Sequence, residues 1–195
     1  VHLLPTLFRD FKNLYPEIEL EVVEAGGIDS LRMIENEELD LAVTNYDDSF
    51  SPNLHYRKLF KSEACFCTYP DHPLAQKKCV TLQELSREPM ILLDAVPSKN
   101  YFVSIFKEKG YHPEVAYSSP SIEMVRCMVG QGLGFSVLVT RPLCDITYDG
   151  ERLVQLDIAD EMPASTLIMA HLANNEPTRP TQLFMDYCRS IELTP

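Results

Sequence analysis

Apolar positions near the start of the chain recur at helical spacing. Leu4, Leu7, Phe8, Phe11, Leu14 and Tyr15 make one stripe, and Pro16 ends it. Strict alternation follows in Glu17-Ile18-Glu19-Leu20-Glu21-Val22, which predicts a strand with one wet face. Ala25-Gly26-Gly27 breaks that strand. Asp29 or Ser30 is then placed to cap a helix with Leu31 and Ile34 inward. Leu39 to Val43 reads as a short buried strand. Strand, helix, strand in this order predicts parallel pairing through a right-handed crossover.

The middle of the chain repeats the alternation of element types. Glu63 to Tyr69 is strand-like, and Thr81-Leu82-Gln83-Glu84 has capping-box spacing for a short helix. Met90 to Leu93 predicts a strand that ends at Asp94. Ser98 to Lys109 predicts a helix with Phe102, Ile105 and Phe106 inward, stopped by Gly110. Glu114 to Tyr117 is a further strand. The turn Ser118 to Ser121 leads into a helix carrying Ile122, Val125, Met128 and Val129. Leu133 to Val139 and Ser165 to Leu172 are apolar strands, and Pro180 to Leu193 closes the chain as a helix. The fold class expected from this order is α/β.

Charge and cysteine usage narrow the function classes. The 195 residues are 45% apolar, enough for one or two cores, and their net charge is −12. A surface this acidic repels phosphate backbones, so DNA contact needs a basic segment outside these residues. No apolar run is long enough to span a bilayer. The chain opens in mid-pattern without Met, which leads us to expect a fragment. The six cysteines, Cys65, Cys67, Cys79, Cys127, Cys144 and Cys188, show no paired metal-knuckle spacing. They read as small buried hydrophobes of a reducing cytoplasm rather than as bridges, with a thiol switch as the lesser alternative. No G-x-S-x-G elbow, H-E-x-x-H pair or phosphate loop supports an enzyme. The five histidines are scattered through turns and strands. No metal or cofactor motif is present.

Several segments together resemble one family. They are Leu3-Leu4-Pro5 through Phe11 with Tyr15-Pro16, Leu39-Asp40-Leu41-Ala42-Val43, Asp71-His72-Pro73-Leu74-Ala75, Gly110-Tyr111-His112-Pro113, and Val129-Gly130-Gln131-Gly132-Leu133-Gly134-Phe135. Their order and gaps resemble the effector-binding domain of LysR-type transcriptional regulators over nearly the whole chain. Thr140-Arg141-Pro142 departs from the pattern, since the family usually places Pro directly after the apolar strand. The resemblance implies a periplasmic-binding-protein-like fold of type 2, with two α/β lobes around a ligand cleft and two crossovers. Lobe I would hold residues 1–62 and 166–195, and lobe II residues 63–165. It also implies a homodimer, tetrameric in a full-length protein whose amino-terminal winged helix-turn-helix supplies the DNA contact.

In open α/β folds ligands sit at strand carboxyl ends and helix amino ends. Four turns meet that rule. The first, Ala25 to Ser30, holds Gly26, Gly27 and Asp29. The second, Thr44 to Asp47, holds Thr44 and Asn45. The third, Asp94 to Ser98, holds both its end residues. The last holds Ser118, Ser119 and Ser121. Helix amino termini offer N–H groups to an anion, and glycines admit close backbone approach. The predicted ligand is a small polar effector carrying a carboxylate, or an amino-acid-like zwitterion if Asp29 or Asp94 faces it. Lys99 is the sole positive charge near these turns in sequence. Helix capping alone is the competing role for the serines and Asp29. The alternative function is a solute-binding receptor of a transport system with the same fold.

Overall fold

The computed structural model describes residues 4–46, 51–96, 98–139, 141 and 144–191. In chain order the elements begin with α1 (Leu4–Leu14), α2 (Gly27–Glu35), β1 (Ala42–Asn45) and β2 (Leu54–Ser62). Then come β3 (Cys65–Thr68), a 3₁₀ turn (Pro73–Gln76), β4 (Cys79–Val80), α3 (Leu82–Leu85), β5 (Met90–Leu93) and α4 (Ser98–Glu108). The rest are β6 (Val115–Ser119), α5 (Ile122–Gly130), β7 (Ser136–Leu138), β8 (Val154–Ile158), β9 (Ser165–Leu172) and α6 (Arg179–Ser190). The chain divides into unit 1, Val1–Lys61 with Thr166–Pro195, and unit 2, Ser62–Ser165.

In unit 1 the sheet order is β1-β9-β2, with β1 antiparallel to β9. Residue parity assigns the helices to its two faces, because successive side chains of a strand point to opposite sides. Ala42, Leu54, Ile168 and Ala170 pack with Leu31 and Ile34 of α2. Val43, Leu59 and Met169 pack instead with Phe11 of α1 and with Phe184, Met185 and Cys188 of α6. Phe11 meets Phe184 edge-on at 5.0 Å between ring centres. That geometry is worth about 0.5–1.5 kcal/mol beyond the area buried.

The alternating segment Glu17 to Val22 is not a strand, which corrects the β–α–β expectation. Ile18 is buried and Leu20 packs beside it, but Val22 is exposed. Alternation specifies a dry face without specifying a neighbour. The partner it predicts, β1, bonds only to β9 among the described residues.

Unit 2 is built on a four-stranded sheet, β4-β8-β3-β7, and a parallel pair, β5-β6. The two are joined at Phe135. Its N–H donates to Pro89 C=O at 3.0 Å, and its C=O accepts from Ile91 N–H at 2.7 Å. Every strand runs the same way except β3, which is antiparallel to both β7 and β8. Phe66, Phe102, Phe106 and Phe135 are fully buried in its core with Val125 and Val129 of α5. Strands β2, β4 and β8 carry no strong sequence pattern, and each is fixed by its neighbours. The closing helix begins at Arg179, and Leu193 lies outside the described residues.

Local signals hold where they depend on near neighbours. Thr81 Oγ1 accepts from Glu84 N–H at 3.3 Å while Glu84 Oε2 accepts from Thr81 N–H at 3.0 Å, a complete capping box. Thr81→Ala is therefore expected to cost about 1 kcal/mol. A urea midpoint unchanged by that substitution would show that the box contributes nothing. His72 is buried and its Nδ1 accepts from Leu74 N–H at 3.1 Å, capping the 3₁₀ turn. Burial pushes its pKa below the ordinary imidazole range, and Glu88 pulls it the other way. Its role is structural.

All six cysteines are free. Cys65, Cys67 and Cys188 are buried, and burial pushes Cys67 up to about 12. Cys79 and Cys144 are exposed, which corrects the expectation of uniform burial.

Candidate functional site

The structure gathers the candidate residues into two groups, one in each unit. In unit 2, parallel β5 and β6 end side by side, with Leu93 opposite Ser119. Asp94 N–H donates to Ser119 C=O at 2.8 Å, so both residues sit at one sheet edge. The chain leaves β5 there and enters α4 at Ser98, and Lys99 N–H reaches back to Ala95 C=O at 2.9 Å. Ser118 and Ser119 are the last residues of β6 rather than a turn, which corrects that boundary. Ser119 Oγ accepts from Ser121 N–H at 3.2 Å. Ser121 Oγ in turn accepts from Met124 N–H at 3.4 Å and caps α5. The capping role predicted for Ser121 is thus present.

Lys99 changes the electrostatics of this edge. Its ammonium lies 3.0 and 3.1 Å from the two Asp94 oxygens, tying the end of β5 to the first turn of α4. Both side chains are over a third exposed, so the pair itself is worth under about 1 kcal/mol. The local charge is near balance, and this edge also carries Ser hydroxyls and helix-start N–H groups. First-turn N–H groups have no acceptor inside their own helix. Two helices, α4 and α5, start at this edge with their positive dipole ends.

In unit 1 the helix start lies earlier than the cap rule predicts. Gly26 is the N-cap of α2 and Gly27 its first residue, which corrects the assignment of the cap to Asp29 or Ser30. Ser30 N–H bonds Gly26 C=O at 2.8 Å, and its hydroxyl donates to Gly27 C=O at 2.8 Å. Asp29 lies in the first turn, exposed and 3.6 Å from Arg32. Thr44 and Asn45 are the last residues of β1, opposite Ile168 and Leu167, and Asp47 lies outside the described residues. Thr44 is buried on the face that α2 covers. Helix α2 packs against β1, with Leu31 and Ile34 clustered with Ala42.

Two side chains near these groups are not prominent in the sequence. Lys99 as the partner of Asp94 is signalled only by an opposite charge five positions on, across a strand-to-helix turn. Arg126 is signalled only by its place beside the apolar stripe of α5, yet its side chain is 10% exposed. The aromatics of the turns are already engaged. Tyr101 donates its hydroxyl to Pro163 C=O at 2.7 Å, and burial pushes its pKa up to about 12. Tyr46 meets Tyr56 edge-on. A pocket in unit 2 has Glu63, Asp157, Asp160 and Glu161 in its lining. Its carboxylates repel an anion, so it does not suit the predicted effector.

Comparison with known proteins places this architecture. The family model for the LysR substrate binding domain matches residues 1–191. The crystal structure of HinK, a LysR family transcriptional regulator from Pseudomonas aeruginosa, is 40% identical with a TM-score of 0.91; the match covers 96% of this chain and 64% of that one. The C-terminal domain of a probable LysR family regulator from Rhodococcus sp. RHA1 is 32% identical with a TM-score of 0.91, covering 95% and 91%. The Escherichia coli HTH-type transcriptional regulator cbl is 23% identical over 84% of this chain and 52% of its own length. The chain spans about half the length of the curated relatives it matches first.

Proposed function

Because this chain belongs to the LysR substrate-binding domain family, with its type 2 periplasmic-binding-protein-like fold, we propose that it senses a small carboxylate-bearing metabolite and relays its presence to a DNA-binding segment outside these residues. The observation that carries the reading is the shared edge in unit 2. There the ends of β5 and β6 present Asp94, Ser118 and Ser119 beside the helix starts at Ser98 and Ser121. Backbone N–H groups at helix starts hold an anion without a dedicated arginine. The Asp94–Lys99 pair supplies one charge of each sign, which suits an amino-acid-like zwitterion as well. In unit 1, Gly26, Gly27, Asp29, Thr44 and Asn45 are read as a candidate ligand-contacting group of that unit.

Relatives support the ligand class. The effector-binding domain of QuiR is described in complex with shikimate, the CcmR regulatory domain with 2-PG, and the BenM effector-binding domain with benzoate. Benzoate is itself a carboxylate. The relatives named above are regulators, which favours sensing over the transport-receptor alternative and over catalysis. The working protein is read as a cytoplasmic homodimer, tetrameric at full length, reaching DNA only through its other domain. Among the described residues no helix is long and apolar enough to cross a membrane.

The test is a thermal-shift screen of carboxylate metabolites on the 195-residue chain. A ligand at about 100 Kd adds roughly 2.7 kcal/mol. Ser119→Ala removes one acceptor at a half-buried position and should lower the unliganded melt by only a few degrees, since it costs about 1 kcal/mol. The ligand-dependent shift should vanish in Ser119→Ala and in Gly27→Val. Parental affinity in both variants would overturn the placement of the site.

A further inference from the structure

Two histidines far apart in the sequence stand side by side in unit 1. His55 lies on β2 and His171 on β9, which are bonded neighbours in the sheet. Their ring centres are 5.5 Å apart and the planes are inclined by 51°. Two residues before His55 and two after His171, Ala173 N–H donates to Asn53 C=O at 2.8 Å, so the backbones beside the pair are tied together. His55 is exposed and His171 half-buried, so an ion in solution reaches both.

We propose that His55 and His171 form a binding site for a borderline divalent transition-metal ion, of the zinc, nickel or copper class. Three observations carry the assignment. The first is spacing. With metal–nitrogen bonds of about 2.0–2.1 Å and about 1.1 Å from ring nitrogen to ring centre, one ion shared by two imidazoles sets the centres about 5–6 Å apart. The second is the state of His171. Its Nδ1 lies 3.0 Å from Leu172 C=O, and a carbonyl can only accept, so Nδ1 carries the hydrogen. In the neutral ring Nε2 then keeps a free lone pair. A backbone carbonyl holding the other ring nitrogen is the usual support of a metal-ligating histidine. The third is the platform, since a hydrogen-bonded strand pair holds both rings in place.

No third histidine, cysteine or carboxylate joins the pair among the described residues. The remaining coordination positions therefore fall to water, which makes the site open and exchangeable rather than a closed structural one. The chain leaves unit 1 through β2 and re-enters through β9, so the ion would staple together the two strands by which it passes.

The experiment titrates the tag-free 195-residue chain with zinc or nickel chloride in a non-chelating buffer. It includes His55→Gln, His171→Gln and, as a control on an exposed histidine, His112→Gln. The expected result is one saturable ion per chain. Binding should weaken at least ~10-fold in each of the first two variants and stay unchanged in the third. Copper(II) bound to the parent chain should show magnetic coupling to two imidazole nitrogens. Circular dichroism on each variant confirms that the fold persists. No saturable binding by the parent, or a His55→Gln variant as tight as the parent, overturns the proposal. So does binding that survives both histidine variants and is lost when the exposed thiols Cys79 and Cys144 are alkylated.

Discussion

Gly134→Ala is expected to destabilise the protein by about 3 kcal/mol, near the upper end of single-substitution effects. Gly134 has φ +155°, in a region essentially closed to residues with a side chain. An added Cβ would lie 2.4 Å from Pro89 C=O and 3.3 Å from Ile91 Cγ1. The Pro89 backbone cannot retreat cheaply. Phe135, the next residue, is bonded to Pro89 and Ile91, and those two bonds join the β5-β6 pair to the four-stranded sheet. Backbone strain of about 1–3 kcal/mol and overpacking of about 1–3 kcal/mol therefore act together. At roughly 2–4 °C per kcal/mol for a chain of this size, the melt should fall by about 10 °C. Gly110→Ala is the control. It also has positive φ, +77°, but a Cβ there meets nothing within 4 Å. Its cost should be only the left-handed penalty, about 1–2 kcal/mol. Equal melting points for the two variants would mean that the close approach at Pro89 does not constrain the fold.

Arg126→Ala is expected to cost a further large amount, about 3 kcal/mol, and to loosen the segment 144–151 selectively. The guanidinium bonds Glu123 Oε2 at 3.0 Å, Cys144 C=O at 2.8 Å and Ile146 C=O at 3.2 Å. Glu123 completes the clamp by accepting from Tyr148 N–H at 2.9 Å through its other oxygen. Removing one partner of a buried ion pair costs about 3–5 kcal/mol, because the other charge stays behind. Glu123 is 21% exposed, so water relieves part of that penalty and the lower end applies. Arg126→Lys should recover little, since an ammonium cannot reproduce the planar fork that serves three acceptors. Urea denaturation gives the magnitude, and hydrogen exchange at Thr147 and Tyr148 gives the location. Stability within about 0.5 kcal/mol of the parent, the scale of an ordinary surface change, would refute the clamp. The consequence for sensing is direct. Helix α5 starts at Ser121, one end of the proposed effector edge, and Arg126 anchors that helix from the other side of its first turn.

Much of the proposed site was legible in residues 94–121. A strand ending at Asp94 and a cap at Ser121 are local patterns, and the rule that ligands meet strand ends brings them together. The pairing of Asp94 with Lys99 was not legible, because it needs the side chains to fold back across the turn. At Gly26 the reading failed for a plain reason. Cap rules look for a side-chain oxygen, so they moved the start of α2 to Asp29 or Ser30. Glycine caps with no side chain and leaves no such mark.

By itself the sequence determined the helices, the caps at Thr81 and Ser121, the buried strand Met90–Leu93 and the family motifs. Each of these rests on residues within a few positions of one another, where 3.6-residue periodicity and capping chemistry act. Only the tertiary structure decided that β1 pairs with β9, that β3 runs against its neighbours, and that Glu17 to Val22 has no ladder. It alone decided that Gly134 presses on Pro89, that Arg126 is buried, and that His55 meets His171. These are contacts between distant parts of the chain. An apolar or alternating pattern says that a residue needs a partner but carries no address for it, and packing supplies the address.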